Sequence, residues 1–223
     1  MTAPCGFEEF TGTPDVDIVD WSSATVRVSM RGNGGADMLL AGNANDDLVT
    51  LSDPVSGAVV NGGGGFNDTL LVSGPYSVFT LVGSCGFENF TGGDGNDNVD
   101  WSDATVAVSM RGNGGDDTLT GGAGADLITG GNGNDVLYGN GGADTLYGEG
   151  GINHLTGGPG NDSLRGGGSD YAHYSATPVP PRYQVRNAGT YYVVTDITGG
   201  PTGDGVDIVR GCPVANIVGP YTP

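Results

Sequence analysis

A large aliphatic residue recurs every nine positions through the centre of the chain, at Leu119, Ile128, Leu137, Leu146, Leu155 and Leu164. Each is the middle of a three-residue run with mixed or polar flanks: TLT, LIT, VLY, TLY, HLT and SLR. In an extended triplet the central side chain faces one way and its neighbours the other, so each run reads as a short strand with one core residue. The six residues before each run are rich in glycine at their first, second and fourth places, which favours tight turns with positive φ. Two such units make one coil. Coils stacked at the sheet spacing of about 4.8 Å align the aliphatic residues as a continuous inward core.

In full, the six units from Gly112 to Arg165 are GNGGDDTLT, GGAGADLIT, GGNGNDVLY, GNGGADTLY, GEGGINHLT and GGPGNDSLR. The sixth place is aspartate in five of them, and alternate units fall on opposite edges of the stack. Asp117 and Asp135 share one edge; Asp126, Asp144 and Asp162 share the other. Carboxylates one rung apart repel by roughly 3–4 kcal/mol at an effective dielectric of about 20, before screening. Calcium takes oxygen ligands at about 2.3–2.6 Å, so an ion between two turns spans about one rung and removes that repulsion. The carbonyls of turn glycines, Gly112, Gly114 and Gly121 among them, would complete the ligand shell. We expect the calcium-free chain to be largely disordered and calcium binding to drive folding.

The template G-G-x-G-x-D-x-U-x, with U a large aliphatic, resembles the calcium-binding nonapeptide repeat of the RTX, or hemolysin-type, family. The resemblance implies an all-β chain folded as a right-handed parallel β-roll, several bound Ca2+ ions and export from the cell. Relatives of this kind commonly leave by a type I exporter that reads an uncleaved C-terminal signal. The segment MTAPCGFEEF lacks the basic and apolar regions of a cleaved signal peptide, which is compatible with that route. The tail from Arg182 reads as a β-hairpin followed by DGVDIVRG, similar to the segment that often closes such rolls, so we expect a C-terminal antiparallel hairpin cap.

A longer repeat encloses the short one. Residues 5–39 match residues 85–119 at a constant offset, with 25 of 35 positions identical, which marks a tandem duplication. We divide the chain into a degenerate first β-roll copy (1–84), a second copy with the regular array (85–170), and a β cap with a possible export-signal region (171–223). In the second copy GGDGNDNVD is itself a full repeat with Asp97 in the ligand place, and the stretch Trp101 to Arg111 reads as an insertion separating it from the main array. The first copy keeps Asp17 opposite Asp97, and places Asp37, Asp46 or Asp47, and Asp68 as ligands; the turns before Asp17 and Asp46 have fewer glycines, so we expect weaker sites in this copy. After Gly166 the register shortens by one residue and brings Asp170 near a ligand place; Asn153 replaces aspartate in the fifth unit and should weaken its edge. We expect the two copies to form one continuous solenoid, with Cys5 and Cys85 too far apart to bond to each other.

Composition narrows the function. The formal charge is −19, and only four of the 26 acidic residues are glutamate; a merely solvated acidic surface would use both acids. There is no lysine, which excludes a phosphate-binding loop lysine, a Schiff base and a basic nucleic-acid stripe. No apolar run is long enough for a membrane helix. Cys5, Cys85 and Cys212 read first as buried small hydrophobes, with a disulfide as the alternative. An EF-hand starting at Asp94 fails because Val99 and Thr105 stand where glycine and glutamate are required. His154 and His173 read as outward-facing fillers, and Trp21 and Trp101 as packing residues. A flat ice-binding row of threonines is broken by Val136, Tyr138, Tyr147 and Arg165. The leading expectation is a non-enzymatic, calcium-folded extracellular module of structural or adhesive use, with self-association or a cell-surface partner. The alternative is the calcium-binding accessory module of a larger secreted enzyme of protease, lipase or epimerase type.

Overall fold

Alternating strands along the chain fall into two opposed faces. The strands Asn89–Thr91, Ser109–Gly114, Leu127–Asn132, Thr145–Gly150 and Ser163–Arg165 pair in parallel on one face. The strands between them, Asn98–Asp100, Thr118–Thr120, Val136–Tyr138, His154–Thr156 and Tyr171–His173, pair in parallel on the other. The protein is an all-β parallel solenoid with no helix among the described residues. The structure, a computed structural model, describes residues 8–73 except 16, 34–37, 43–47, 53–58, 63 and 65–67, together with 80–82, 86–173, 183–187, 192–196, 206–212 and 217–218.

The predicted core column is two columns, one per face. Leu119, Leu137 and Leu155 stack on one, and Ile128, Leu146 and Leu164 on the other; all six have no exposed surface. At the copy junction the first face runs on without a break, because Thr69–Ser73 pairs with Asn89–Thr91. Among the described residues that face has twelve strands, and the other comprises a seven-stranded and a three-stranded sheet. Four rungs separate Glu8–Thr11 from Asn89–Thr91 on the long sheet, so the duplication stacks within one solenoid. Cys5 and Cys85 lie outside the described residues.

The segment from Trp101 does not separate the array, as the sequence suggested. Residues between Asp100 and Ser109 form a substitute turn, and both faces keep register across it. Trp101 is fully buried and meets Phe90 edge-on at 6.2 Å between ring centres, as Trp21 meets Phe10 at 6.5 Å in the first copy. Packing is therefore what the tryptophans do, and each aromatic pair fills the coil where no glycine turn is available.

Past the array, Tyr183–Asn187 pairs antiparallel with Tyr192–Asp196, which pairs antiparallel with Val206–Arg210. This last strand returns to the solenoid and lies parallel to Ser163–Arg165. Cys212, just beyond it, is a buried free thiol, as a small core residue should be. His173 departs from expectation: it is buried, and its Nε2 lies 2.7 Å from His154 Nδ1.

Glycine is required where rungs touch. Gly142 has φ 127°, and a Cβ there would run into the carbonyl of Gly124 on the rung below. Gly142→Ala should therefore cost more than about 1 kcal/mol, read as a lower melting temperature in saturating calcium.

Candidate metal centre

The sixth-place aspartates form two side-chain ladders along the solenoid edges. On the first, Asp97, Asp117 and Asp135 each donate a backbone N–H to the next rung's side chain, at 2.8, 2.9 and 2.8 Å, ending on Asn153 Oδ1. Asn153 N–H continues the ladder to Asp170 Oδ1 at 3.0 Å. On the second edge, Val108, Asp126 and Asp144 donate to Asp126, Asp144 and Asp162 at 2.9, 2.8 and 2.9 Å. The alternation read from the nonapeptide thus places the aspartates as expected, and all of them are buried.

One carboxylate oxygen is thereby spent on the fold. The other points back under its own turn: a Cβ on Gly112, Gly130 or Gly139 would collide with Oδ2 of Asp117, Asp135 or Asp144. Those three Oδ2 atoms are buried and accept no hydrogen bond. The next rung presents a carbonyl to the same spot, Gly130 O beside Gly112 and Gly157 O beside Gly139. At Gly112 and Gly139 a carboxylate oxygen and a carbonyl oxygen thus converge. An unsatisfied buried carboxylate oxygen is costly, and a hard cation with oxygen preference is the partner that removes the cost. The donor set fits calcium: the cation would supply charge neutralisation and a bridge between successive turns.

Electrostatics agree. Burial pushes the Asp117 carboxyl up to about 8, Asp144 to about 7 and Asp135 to about 6, against backbone N–H donors that lower them. Asp126 is raised by burial too. Neighbouring carboxylates add to the rise at Asp117, chiefly Asp97 and Asp135. Each value describes a carboxylate lacking a counter-charge.

Not every expected ligand is equivalent. Asp126 Oδ2 accepts the Gly122 N–H at 2.8 Å, Asp97 Oδ2 that of Gly93 at 3.3 Å, and Asp170 Oδ2 that of Gly167 at 2.7 Å. Asn153 keeps the ladder but turns its amide Nδ2 onto Asp170 Oδ2 at 3.2 Å, placing a side-chain donor where the aspartates have a second carboxylate oxygen. A Cβ on Gly121 would meet Asp126 Oδ2 and Gly139 O, which puts Gly121 in the same role as Gly112. Gly114 stands apart: its neighbours are atoms of Asp94. In the first copy Asp17 Oδ2 lies under Gly12, repeating Asp97 under Gly92. Asp68 is buried and donates its N–H to Glu88 Oε2 at 2.8 Å, so a glutamate takes the ladder place at the copy junction. Asp37 and Asp46 lie outside the described residues.

Sequence reasoning missed Glu88 and Asp207. Asp207 is buried and accepts the Asp162 N–H at 2.8 Å, extending the second ladder by a rung. The signal was present in DGVDIVRG, whose D-x-U-x-G order repeats the second half of the nonapeptide.

Parallel coils with buried carboxylate oxygens beside turn carbonyls along both edges define a β-roll whose edges carry the oxygen donors that a hard cation takes. Comparison with known families agrees: residues 29–52, 111–146 and 147–171 match the RTX calcium-binding nonapeptide repeat, in four copies. The chain therefore carries RTX calcium-binding repeats. A comparison with curated proteins returned no match.

Proposed function

We propose that the protein is a non-enzymatic, calcium-folded extracellular module that serves as a structural or adhesive segment. The observation that carries this reading is the set of buried, unsatisfied Oδ2 atoms on Asp117, Asp135 and Asp144. With these carboxylates ionised, such a fold needs cations between them. Coupling of folding to external calcium suits a chain exported unfolded through a type I system, which is the usual route of RTX-repeat proteins. The antiparallel strands Tyr183–Asn187 and Tyr192–Asp196 serve in this reading as the cap on the C-terminal end of the long sheet.

The outer surface of the long sheet supports the adhesive part. Arg31, Arg111, Arg165 and Arg210 occupy one register column through Thr50, Leu71, Thr91, Thr129 and Tyr147. Four of the seven basic residues of an acidic chain thus lie on a single line. Arg165 sits over the Tyr147 ring at 5.3 Å, and Arg111 pairs with Glu149 at 3.4 Å. A line of guanidinium groups with an aromatic ring among them favours an anionic partner.

Titration of the chelated protein with calcium, followed by far-UV circular dichroism, tests the reading. Strand signal should appear with calcium and disappear on chelation. A full β spectrum in chelator at neutral pH would refute it.

A further inference from the structure

The second ladder ends on a residue from far along the chain. Within the array its steps join residues 18 apart; the last joins Asp162 to Asp207, 45 apart. The geometry is nonetheless that of the array. Ile208 N–H donates to Asp162 O at 2.8 Å, as Ser163 N–H donates to Asp144 O at 2.8 Å. Val209 stands over Leu164 in the core column and is fully buried. Gly166 N–H meets Arg210 O at 2.9 Å, as Gly139 N–H meets Thr156 O at 2.8 Å on the other face. Gly211 has φ 83°, and a Cβ on it would strike the Gly166 carbonyl, the same close approach that the array glycines make. Val206 to Gly211 therefore imitates half a repeat, although the family match ends at residue 171.

We propose that Asp207 is a calcium ligand that closes the terminal site on this edge together with Asp162, so that calcium at that site docks the strand Val206–Arg210 onto the roll. The proposal rests on the calcium reading above, and on the placement of Asp207 one rung beyond Asp162 and two beyond Asp144 on the same edge. The antiparallel excursion between Tyr171–His173 and Val206–Arg210 is then held at its return by a cation rather than by core packing alone. The final coil would close after the array, because its ligand arrives from a segment that must first be brought back over 45 residues.

Cys212 supplies a local reporter. It is buried, a Cβ on Gly166 would lie 2.6 Å from its sulfur, and burial pushes its thiol up to about 11, so the docked thiol is shielded and unreactive. In the full chain with Cys5→Ser and Cys85→Ser, calcium titrations of the parent and of Asp207→Asn would be followed by circular dichroism, thiol labelling and the number of ions bound. Asparagine can keep the ladder bond, as Asn153 does for Asp135, so the substitution removes charge rather than the hydrogen bond.

The expected result is that Asp207→Asn loses an ion and labels at Cys212 roughly tenfold faster or more at calcium levels that saturate the array signal. Unchanged ion number with unchanged protection would overturn the proposal. So would loss of the whole array signal in the variant, since that would make Asp207 a general folding residue. Failure of the calcium reading itself is separable: the parent chain would then show no calcium response.

Discussion

Asp135→Ala should raise the calcium midpoint for folding by about tenfold or more. Asp135 is buried, its Oδ1 accepts the Asp117 N–H at 2.9 Å, and its Oδ2 is one of the unsatisfied oxygens. Alanine removes a ligand and also strands the buried Asp117 N–H, and an unsatisfied buried donor alone costs about 1–3 kcal/mol. With roughly 1.4 kcal/mol per tenfold, the two losses together exceed one decade. Asp144→Ala should act similarly, because Asp144 has the same burial and accepts the Asp126 N–H at 2.8 Å. Asp37→Ala and Asp46→Ala should move the midpoint much less: the Asp46 turn, AGNAND, has one glycine, and Asp37, although its GNGGAD turn is that of Asp144, neighbours the glycine-poor GTPDVD turn of Asp17 on its edge. Calcium titrations of the four variants check this; equal shifts in both copies would show that the first copy carries sites as strong as the second.

Acid should weaken calcium binding and, without calcium, favour the coiled state. The carboxyls of Asp117, Asp144 and Asp135 are raised by burial from an ordinary 3.8 to about 8, 7 and 6. A raised acid is easier to protonate in the metal-free fold than in the unfolded chain. Its contribution to that fold is fully present below about pH 3.8 and is lost as pH rises through 6 to 8. Calcium has the opposite dependence, because it binds the deprotonated oxygens. The calcium midpoint should therefore rise by about tenfold or more between pH 8 and pH 6. In chelator, strand signal should be stronger near pH 4 than near pH 9. A midpoint independent of pH over that range would mean that these carboxylates are not the ligands.

The glycine turns and aliphatic period of residues 112–165 were enough to establish the β-roll and the two aspartate edges, because a nine-residue period with one core side chain per unit has few ways to bury that side chain. Asp117, Asp126, Asp135, Asp144 and Asp162 could be placed on their edges from position alone for the same reason. Position could not tell Asp144, with a free buried oxygen, from Asp126, whose second oxygen bonds to Gly122 N–H. That difference depends on backbone placement of a fraction of an ångström within the turn. Nor could it show that Trp101 and its following residues replace a turn without breaking register, since a substitute turn has no repeat signature.

The places of Asp207 and Glu88 on the ladders were decided by the tertiary structure, although the D-x-U-x-G order around Asp207 is a local trace of the repeat. Their ladder places depend on how many residues an irregular connection uses before returning to the stack, which local sequence does not encode. The same holds for the arginine column: Arg31, Arg111, Arg165 and Arg210 are scattered along the chain, and only the stacking of parallel strands puts them on one line.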